Sequence, residues 1–251
     1  MSFGRTIADA HYKCCMFAGL NISGTNAEVM PGQWEFQIGP ASGIQAGDHL
    51  WAARFLLQKC AELYDLVVSF DPKLFPDWNG SGCHTNFSTK TMREGSKGIK
   101  YIENMMDKFS KKHALHLKLY GEGNHKRLTG QHETSSFTTF SYGAGNRAAS
   151  FRIPSSTYSA NGKGYIEDRR PSSNIDPYVV TSIIFDTGCV QENKSCASEL
   201  IKHYRDWINR NGTIWHPSDL KQEPKQKTKI ETAKTENAKQ PKINNFVNEV
   251  S

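Results

Sequence analysis

Four segments of this 251-residue chain place chemically capable side chains at every second position. A strand sends residues i, i+2 and i+4 to one face, so each such segment offers one polar face. QWEFQI sets Gln33, Glu35 and Gln37 against Trp34, Phe36 and Ile38. GCHTNFS aligns His84, Asn86 and Ser88 opposite Cys83, Thr85 and Phe87. GYIEDRR aligns Tyr165, Glu167 and Arg169. RAASFRIP adds Arg147 and Arg152 at opposite parity, so a bulge or loop must intervene if both serve one site.

The stretch EVMPGQWEFQIGP, residues 28–40, sharpens the question of what these faces do. With Pro31 and Gly32 at a hairpin tip, Met30 faces Gln33, Val29 faces Trp34 and Glu28 lands opposite Glu35. Like charges paired across strands destabilise a hairpin, whereas a cation between them turns repulsion into shared attraction. The plainer reading of all four segments is the solvent side of ordinary antiparallel strands. Against it, Glu, His, Asn, Gln and Arg recur where Lys, Thr and Ser are usual. Glu28, Glu35 and Glu167 with His84 form a ligand set for a hard divalent ion such as magnesium or manganese. Arginine forks suit carboxylate and phosphate. The residues alone point to metal-assisted phosphoryl transfer.

The elements that must hold these faces read as α+β: mostly antiparallel strands covered by helices on one side. Helical spacing of Ile7, Ala10, Cys14 and Phe17 predicts a helix over 5–18. Leu50, Ala53, Leu57, Ala61 and Tyr64 predict another over 48–64, with Asp48 as its cap. Ile99, Ile102, Met106 and Phe109 predict a third over 94–112, and two more are expected near 176–186 and 195–210. VVSFD (67–71) and LHLKLY (115–120) read as strands. The loop RLTGQHETS, 127–135, carries Arg127, His132 and Glu133 and reads either as a plain turn or as a flap bringing a base over substrate. FDPKLFPDWNGSG is long for a loop, and its Trp78-Asn79-Gly80 could line a pocket. His11 and His113 read as structural histidines.

Bulk composition narrows the classes. A net charge of +6 with scattered basic residues argues against nucleic acid as a partner. A mean hydropathy of −0.60 and the lack of a long apolar run argue against a membrane span. The first twenty residues carry Asp9, His11 and Lys13 and do not read as a secretory signal. Six cysteines without CxxC or framework spacing argue against zinc and disulfides, and make a reducing compartment the expectation. From Pro217 the chain loses its large apolar residues and reads as a disordered charged tail over 217–251, after a helical extension over 191–216.

NISGTNAEVMPGQWEFQIGP, SFDPK, WNGSGCHTNFSTKTMR, RLTGQHETS, NRAASFRIP and GYIEDRRPSSNIDPY, in this order, closely resemble the catalytic domain of eukaryotic-type glutamine synthetase. The resemblance runs from about Phe3 to about Val190, making 1–190 the catalytic domain. It implies a curved, mostly antiparallel sheet with covering helices. It also implies ATP-dependent ligation of ammonium to L-glutamate through a γ-glutamyl phosphate, with two Mg2+ or Mn2+ ions.

Carried over by position, Glu28 and Glu35 are implied as ligands of one metal, and His84 and Glu167 of the other. Asn86, Ser88, Arg93, Arg152 and Tyr165 are implied to hold ATP. Trp78, Asn79, Gly80, Arg127, Arg147 and Arg169 are implied to hold glutamate and the transferred phosphate. Glu133 matches the flap carboxylate that takes a proton from ammonium. The sequence departs from the family's pattern at Gln131, just before His132-Glu133, and in the extension after Val190.

The resemblance further implies a smaller β-grasp domain, and a strand bearing a Glu-x-Glu pair, upstream of the matching residues. Each metal site is therefore expected to lack one ligand within this chain, and the chain alone to be a weak catalyst. It is expected to form a homo-oligomer or co-assemble with full-length subunits, in the cytoplasm or mitochondrion. The alternative reading is a nucleotide- and glutamate-binding or subunit-interaction module.

Overall fold

The computed structural model describes residues 3–190 and the single helical positions Glu199, Lys202 and Asp206. The elements run α1 (Arg5–Phe17), β1 (Ile22–Ala27), β2 (Trp34–Ile38), α2 (Gln45–Glu62), β3 (Thr85–Phe87), α3 (Lys90–Glu94), α4 (Ile99–Lys111) and α5 (His113–Leu117). After a 3-10 turn over Asn124–Lys126 come β4 (Tyr142–Ala144), β5 (Phe151–Ile153), α6 (Ser155–Ser159), β6 (Ile166–Asp168) and α7 (Pro177–Cys189). The expected helix at 195–210 and the tail over 217–251 lie outside the described residues, apart from those single positions.

Strands β1 and β2 form an antiparallel hairpin, and a second sheet has the order β3-β6-β5-β4. Within it β3–β6 and β5–β6 are antiparallel and β4–β5 parallel. The class is α+β as read from the sequence, with no closed barrel among the described residues. Two cores hold it. Helices α4 and α7 bury Ile102, Met106, Phe109, Val180, Ile183 and Ile184 with Phe151, Ile153 and Ile166 of the sheet. Helices α1 and α2 bury Cys15 and Ala53 with Phe36 and Ile38 of the hairpin. Helix α7 starts at Asp176, whose carboxylate accepts from the backbone N–H of Tyr178 and Val179 at 2.9 and 3.3 Å, an N-cap followed by proline.

Four expectations are corrected. The helix expected over 94–112 starts only at Ile99, because Gly95 and Gly98, which separate it from the short α3, both take positive φ (71° and 65°), which glycine alone adopts at little cost. The strand over 115–120 is helix α5 and a buried exit. Its alternation misled because His116 is polar in type yet fully buried, so the buried set His113, His116, Leu117 and Tyr120 follows helical spacing. VVSFD pairs in no ladder: Val67 is 81% exposed. Its backbone is satisfied locally instead, by Ser69 Oγ accepting from Asp71 N and Asp71 Oδ1 from Lys73 N. The second helix also begins earlier than read, so Asp48 sits in its first turn and accepts a 2.6 Å bond from Tyr178 Oη.

Behind β6 lies a buried polar network that ties the larger core together. Arg170 and Asp168 are both 0% exposed and pair through two bonds of 2.8 Å. Tyr120 Oη donates to Asp168 Oδ2 at 2.7 Å, and His116 joins Tyr120 and Thr187 at 2.6 and 2.9 Å. His113 Nδ1 accepts from Arg170 Nη1 at 3.1 Å, which leaves its Nε2–H to donate to Phe137 O. The guanidinium also lies over the ring of Phe151 at 4.7 Å. Removing one partner of such a pair strands a buried charge, at about 3–5 kcal/mol. Arg170→Met is therefore expected to lower the urea-unfolding free energy by about that amount. A loss below about 1 kcal/mol contradicts the role given to the pair.

Candidate active site

The hairpin turns at Pro31-Gly32 as the sequence suggests: Gln33 N–H bonds Met30 O at 3.0 Å across a turn in which Gly32 has φ 81°. Its register differs from the expected one. Glu28 N–H bonds Gln33 O at 3.0 Å, and the ladder pairs Asn26 with Glu35. Val29 and Met30 have no ladder partner and bulge out, which moves Glu28 from opposite Glu35 to a diagonal neighbour. An offset of two preserves parity, so both glutamates keep one face.

The side chains still meet. Burial, a hydrogen bond to Glu35 and the charges of Glu35 and Glu133 push the Glu28 carboxyl above its ordinary 4.5, against a backbone bond at Val29 that lowers it. Gln37 Nε2 donates to Glu35 Oε1 at 2.9 Å. Gln33 clamps the hairpin to the 70–82 loop through Ser81 Oγ at 2.9 Å and Gly80 O at 3.4 Å, while its Oε1 is buried without a donor. Gly80 is needed there: a Cβ would stand 2.5 Å from both Pro72 O and Arg127 Cγ.

Strand β6 supplies the centre of the second cluster. The register sets Asn86, Glu167 and Arg152 in one row across three strands. His84 and Arg169 flank that row two residues along, Ser88 and Tyr165 on its other side. Glu167 is 5% exposed. Its Oε1 takes Arg169 Nη1 at 2.9 Å and lies 3.3 Å from His84 Nδ1, and its Oε2 takes Arg152 Nε. Burial opposes the charge, but bonds from His84 and Arg152 and the Arg169 charge win, holding Glu167 at about 2. Burial and the charges of Arg169 and Arg127 hold His84 below its ordinary 6.5. At neutral pH the arginines therefore carry the pairing, with His84 adding a hydrogen bond.

The 127–135 loop joins the two clusters. His132 and Glu133 take positive φ (52° and 56°), a conformation costly for residues with a side chain. Glu133 Oε1 is 3.6 Å from Arg147 Nη1, and its carbonyl accepts from Arg169 Nη2 at 3.3 Å. Arg169 Nε in turn donates to Arg147 O at 3.0 Å. Arg147 sits in the loop between β4 and β5, which resolves its parity conflict with Arg152. Glu133, Arg147, Arg169, Glu167, Arg152 and His84 thus form one continuous polar chain, and the Glu133 charge also acts on Glu28.

The remaining expected residues lie around this centre. Ser88 Oγ donates to Gly164 O at 2.7 Å, and Arg93 Nη1 to Ser88 O at 3.0 Å. Trp78 is 42% exposed, its carbonyl held by Lys73, with Asn79 and Gly80 following toward the hairpin. Arg127 is buried, its guanidinium braced on the carbonyls of Arg169, Arg170 and Pro171 at 3.1, 2.7 and 3.1 Å. Burial and the Arg169 charge bring Arg127 down to about 10. Sequence reasoning passed over Asp168 and Arg170. The signal was there: two charged residues at the core parity of GYIEDRR, where apolar ones belong.

The donors suit a hard divalent ion at the hairpin: two crowded carboxyls and an unpartnered amide oxygen on the same hairpin. At β6 an imidazole meets a carboxylate whose two oxygens arginines already occupy. Among the described residues no three His, Cys, Asp or Glu side chains converge closely enough to hold a metal, so neither pair is a complete site by itself.

Residues 4–114 match the glutamine synthetase catalytic domain family. Over the matched residues the chain is similar to eukaryotic-type glutamine synthetases. A cytosolic glutamine synthetase isozyme 1 of Glycine max is 60% identical over 187 residues, 74% of this chain and 52% of that protein. A glutamine synthetase of Neurospora crassa is 59% identical over 191 residues, 75% of this chain and 52% of that protein. A chloroplastic glutamine synthetase of Zea mays is 57% identical over 187 residues, 74% of this chain and 44% of that protein. The chain spans about half the length of the curated relatives it matches. Among the described residues no helix is long and apolar enough to cross a membrane.

A depressed carboxylate stabilises the fold above its unfolded value and loses that contribution as pH falls through its folded value. For Glu167 the window runs from 4.5 down to about 2, on the order of 3 kcal/mol. Urea unfolding across this window is expected to show a shallower acid limb for Glu167→Gln than for the wild type. Equal limbs contradict the assignment.

Proposed function

We propose that this chain carries the catalytic residues for ATP-dependent ligation of ammonium to L-glutamate. The observation that carries the reading is the convergence of Glu133, Arg147 and Arg169 between the Glu28–Glu35 pair and Glu167. Phosphoryl transfer needs fixed cations around an anionic centre and a positioned carboxylate for the proton that must leave.

Glu28 and Glu35 would hold one divalent ion, and His84 with Glu167 the other, once Arg152 and Arg169 turn from Glu167 toward phosphate. Such ions neutralise the phosphates and the developing charge on the transferred group. Asn86, Ser88, Arg93, Arg152 and Tyr165 line the nucleotide side. Trp78, Asn79, Gly80 and Arg127 line the glutamate side, with Arg127 keeping the 169–171 backbone in place. Arg147 and Arg169 hold the γ-phosphoryl as it passes to the glutamate side-chain carboxylate. Glu133 accepts the proton of ammonium, and its flap shields the acyl phosphate from water. Ammonia then attacks the carbonyl carbon and phosphate leaves. The proposed setting is a cytoplasmic assembly of several subunits.

A second reading has one observation in its favour. Both Glu167 oxygens are spent on arginines, which suits a module that binds nucleotide or glutamate without turnover.

Manganese titration followed by the EPR signal of free Mn2+ tests the metal assignment. Glu28→Gln and Glu35→Gln are each expected to weaken binding about tenfold or more. Because Glu28 binds its proton above the ordinary carboxylate range, affinity is expected to start falling at a pH above 4.5 as the solution is acidified. Unchanged affinity in both variants removes the site. For the chemistry, phosphate release dependent on glutamate and ammonium is expected to be lost in Glu133→Gln while nucleotide binding is kept. Binding without turnover in the unaltered protein selects the second reading, and retained turnover in Glu133→Gln removes the base.

A further inference from the structure

Helices α1 and α2 bring two thiols into contact at a place the candidate active site does not use. Cys14 Sγ on α1 and Cys60 Sγ on the last turn of α2 are 3.8 Å apart, though 46 residues separate them in sequence. Both are free thiols. Cys14 is exposed to solvent and Cys60 is buried beneath it. The adjacent cysteine has a different task. Successive helix positions point about 100° apart, and Cys15 turns into the core, where its Sγ meets His11 Nε2 at 3.1 Å. His11 is fixed in turn by Ala53 O at 2.9 Å. Packing therefore accounts for Cys15, whereas nothing in the packing requires an exposed sulfur at position 14 facing a buried one.

A sulfur–sulfur separation of 3.8 Å is van der Waals contact. A disulfide is about 2.05 Å long, so rotation about the two χ1 angles and a small approach of the helices must close about 1.8 Å. We propose that Cys14 and Cys60 are a reversible redox pair, closed to an intrachain disulfide by a hydroperoxide and reopened by a dithiol.

The reaction balances in two steps. The Cys14 thiolate attacks a peroxide oxygen, the O–O bond breaks, and Cys14 becomes a sulfenic acid. The departing oxygen takes up a proton and leaves as water when the oxidant is hydrogen peroxide. Cys60 sulfur then attacks Cys14 sulfur. The S–S bond forms, the S–O bond breaks, and the hydroxyl leaves with the Cys60 proton as a second water. Two thiols are oxidised by two electrons in total and one peroxide is reduced by two. Access sets the order: burial, with the hydrogen bond to Cys14, pushes the Cys60 thiol up to about 11, so it stays protonated while Cys14 meets the oxidant. The closed form ties α1 to α2 under the hairpin, because Phe36 and Ile38 pack in the same core as Cys15 and Ala53.

The full chain is treated with hydrogen peroxide, its remaining thiols are alkylated, and the peptides are mapped by mass spectrometry. The expected product is a Cys14–Cys60 linked peptide, with Cys15 still alkylated, that disappears on treatment with dithiothreitol. The oxidised chain should also melt about 5–10 °C higher than the reduced one, and Cys14→Ser, at an exposed position, should lose both the link and the rise. Cys60→Ala offers a second route to the same loss. The proposal is overturned if Cys14 and Cys60 both remain alkylated, if Cys14 stops at a sulfinic acid, or if it links to Cys15 or to a second chain.

Discussion

The site depends on one strand with two faces. Strand β6 sends Glu167, and the following Arg169, toward the cleft, and sends Asp168 and Arg170 into the core. The core face is locked by a bidentate ion pair with no exposure, held in turn by Tyr120, His113 and the ring of Phe151. Breaking so buried a pair leaves a charge without water or partner. Sliding the strand by one residue would exchange the two faces and turn Glu167 and Arg169 into the apolar core in place of a satisfied pair. The register that presents the site is thus enforced from behind it.

That constraint spreads outward through backbone atoms. Arg127 takes the carbonyls of residues 169, 170 and 171, so the strand's exit is held by a side chain from the base of the flap loop. Arg169 then holds the flap itself, through Glu133 O and Arg147 O. Glu133 is left with an exposed carboxylate on a strained loop, 3.6 Å from Arg147 Nη1. A rigid strand carries Glu167, and a tethered loop carries the carboxylate that the proposed chemistry uses as its base.

What could be read from sequence follows from what periodicity encodes. The alternation in QWEFQI, GCHTNFS and GYIEDRR pointed to the right faces, because a period of two survives any even shift. The pairing of Glu28 did not follow, since the bulge at Val29 and Met30 changes register without changing parity. The extents of α1 and α7 were legible, but not the buried face of α1: Ala8, His11 and Cys15 go inside, while Cys14 and Phe17 of the expected stripe are exposed. Residues 115–120 were not, because His116 belongs to a buried network and so breaks the rule that polar means outside. Asp168 and Arg170 went unread for the same reason. The contact between Cys14 and Cys60 leaves no mark in spacing at all, being made by two helices that meet only in the folded chain.

The central claim is that β6 is held by its buried face and opens last. Native-state hydrogen exchange of the Arg169 amide, which bonds Ser150 O at 3.0 Å, tests it most directly. The amide is predicted to exchange only through global unfolding, with an opening free energy equal to that from urea. Exchange through a local opening well below that energy would show that the strand moves independently of its buried pair, and would contradict the account.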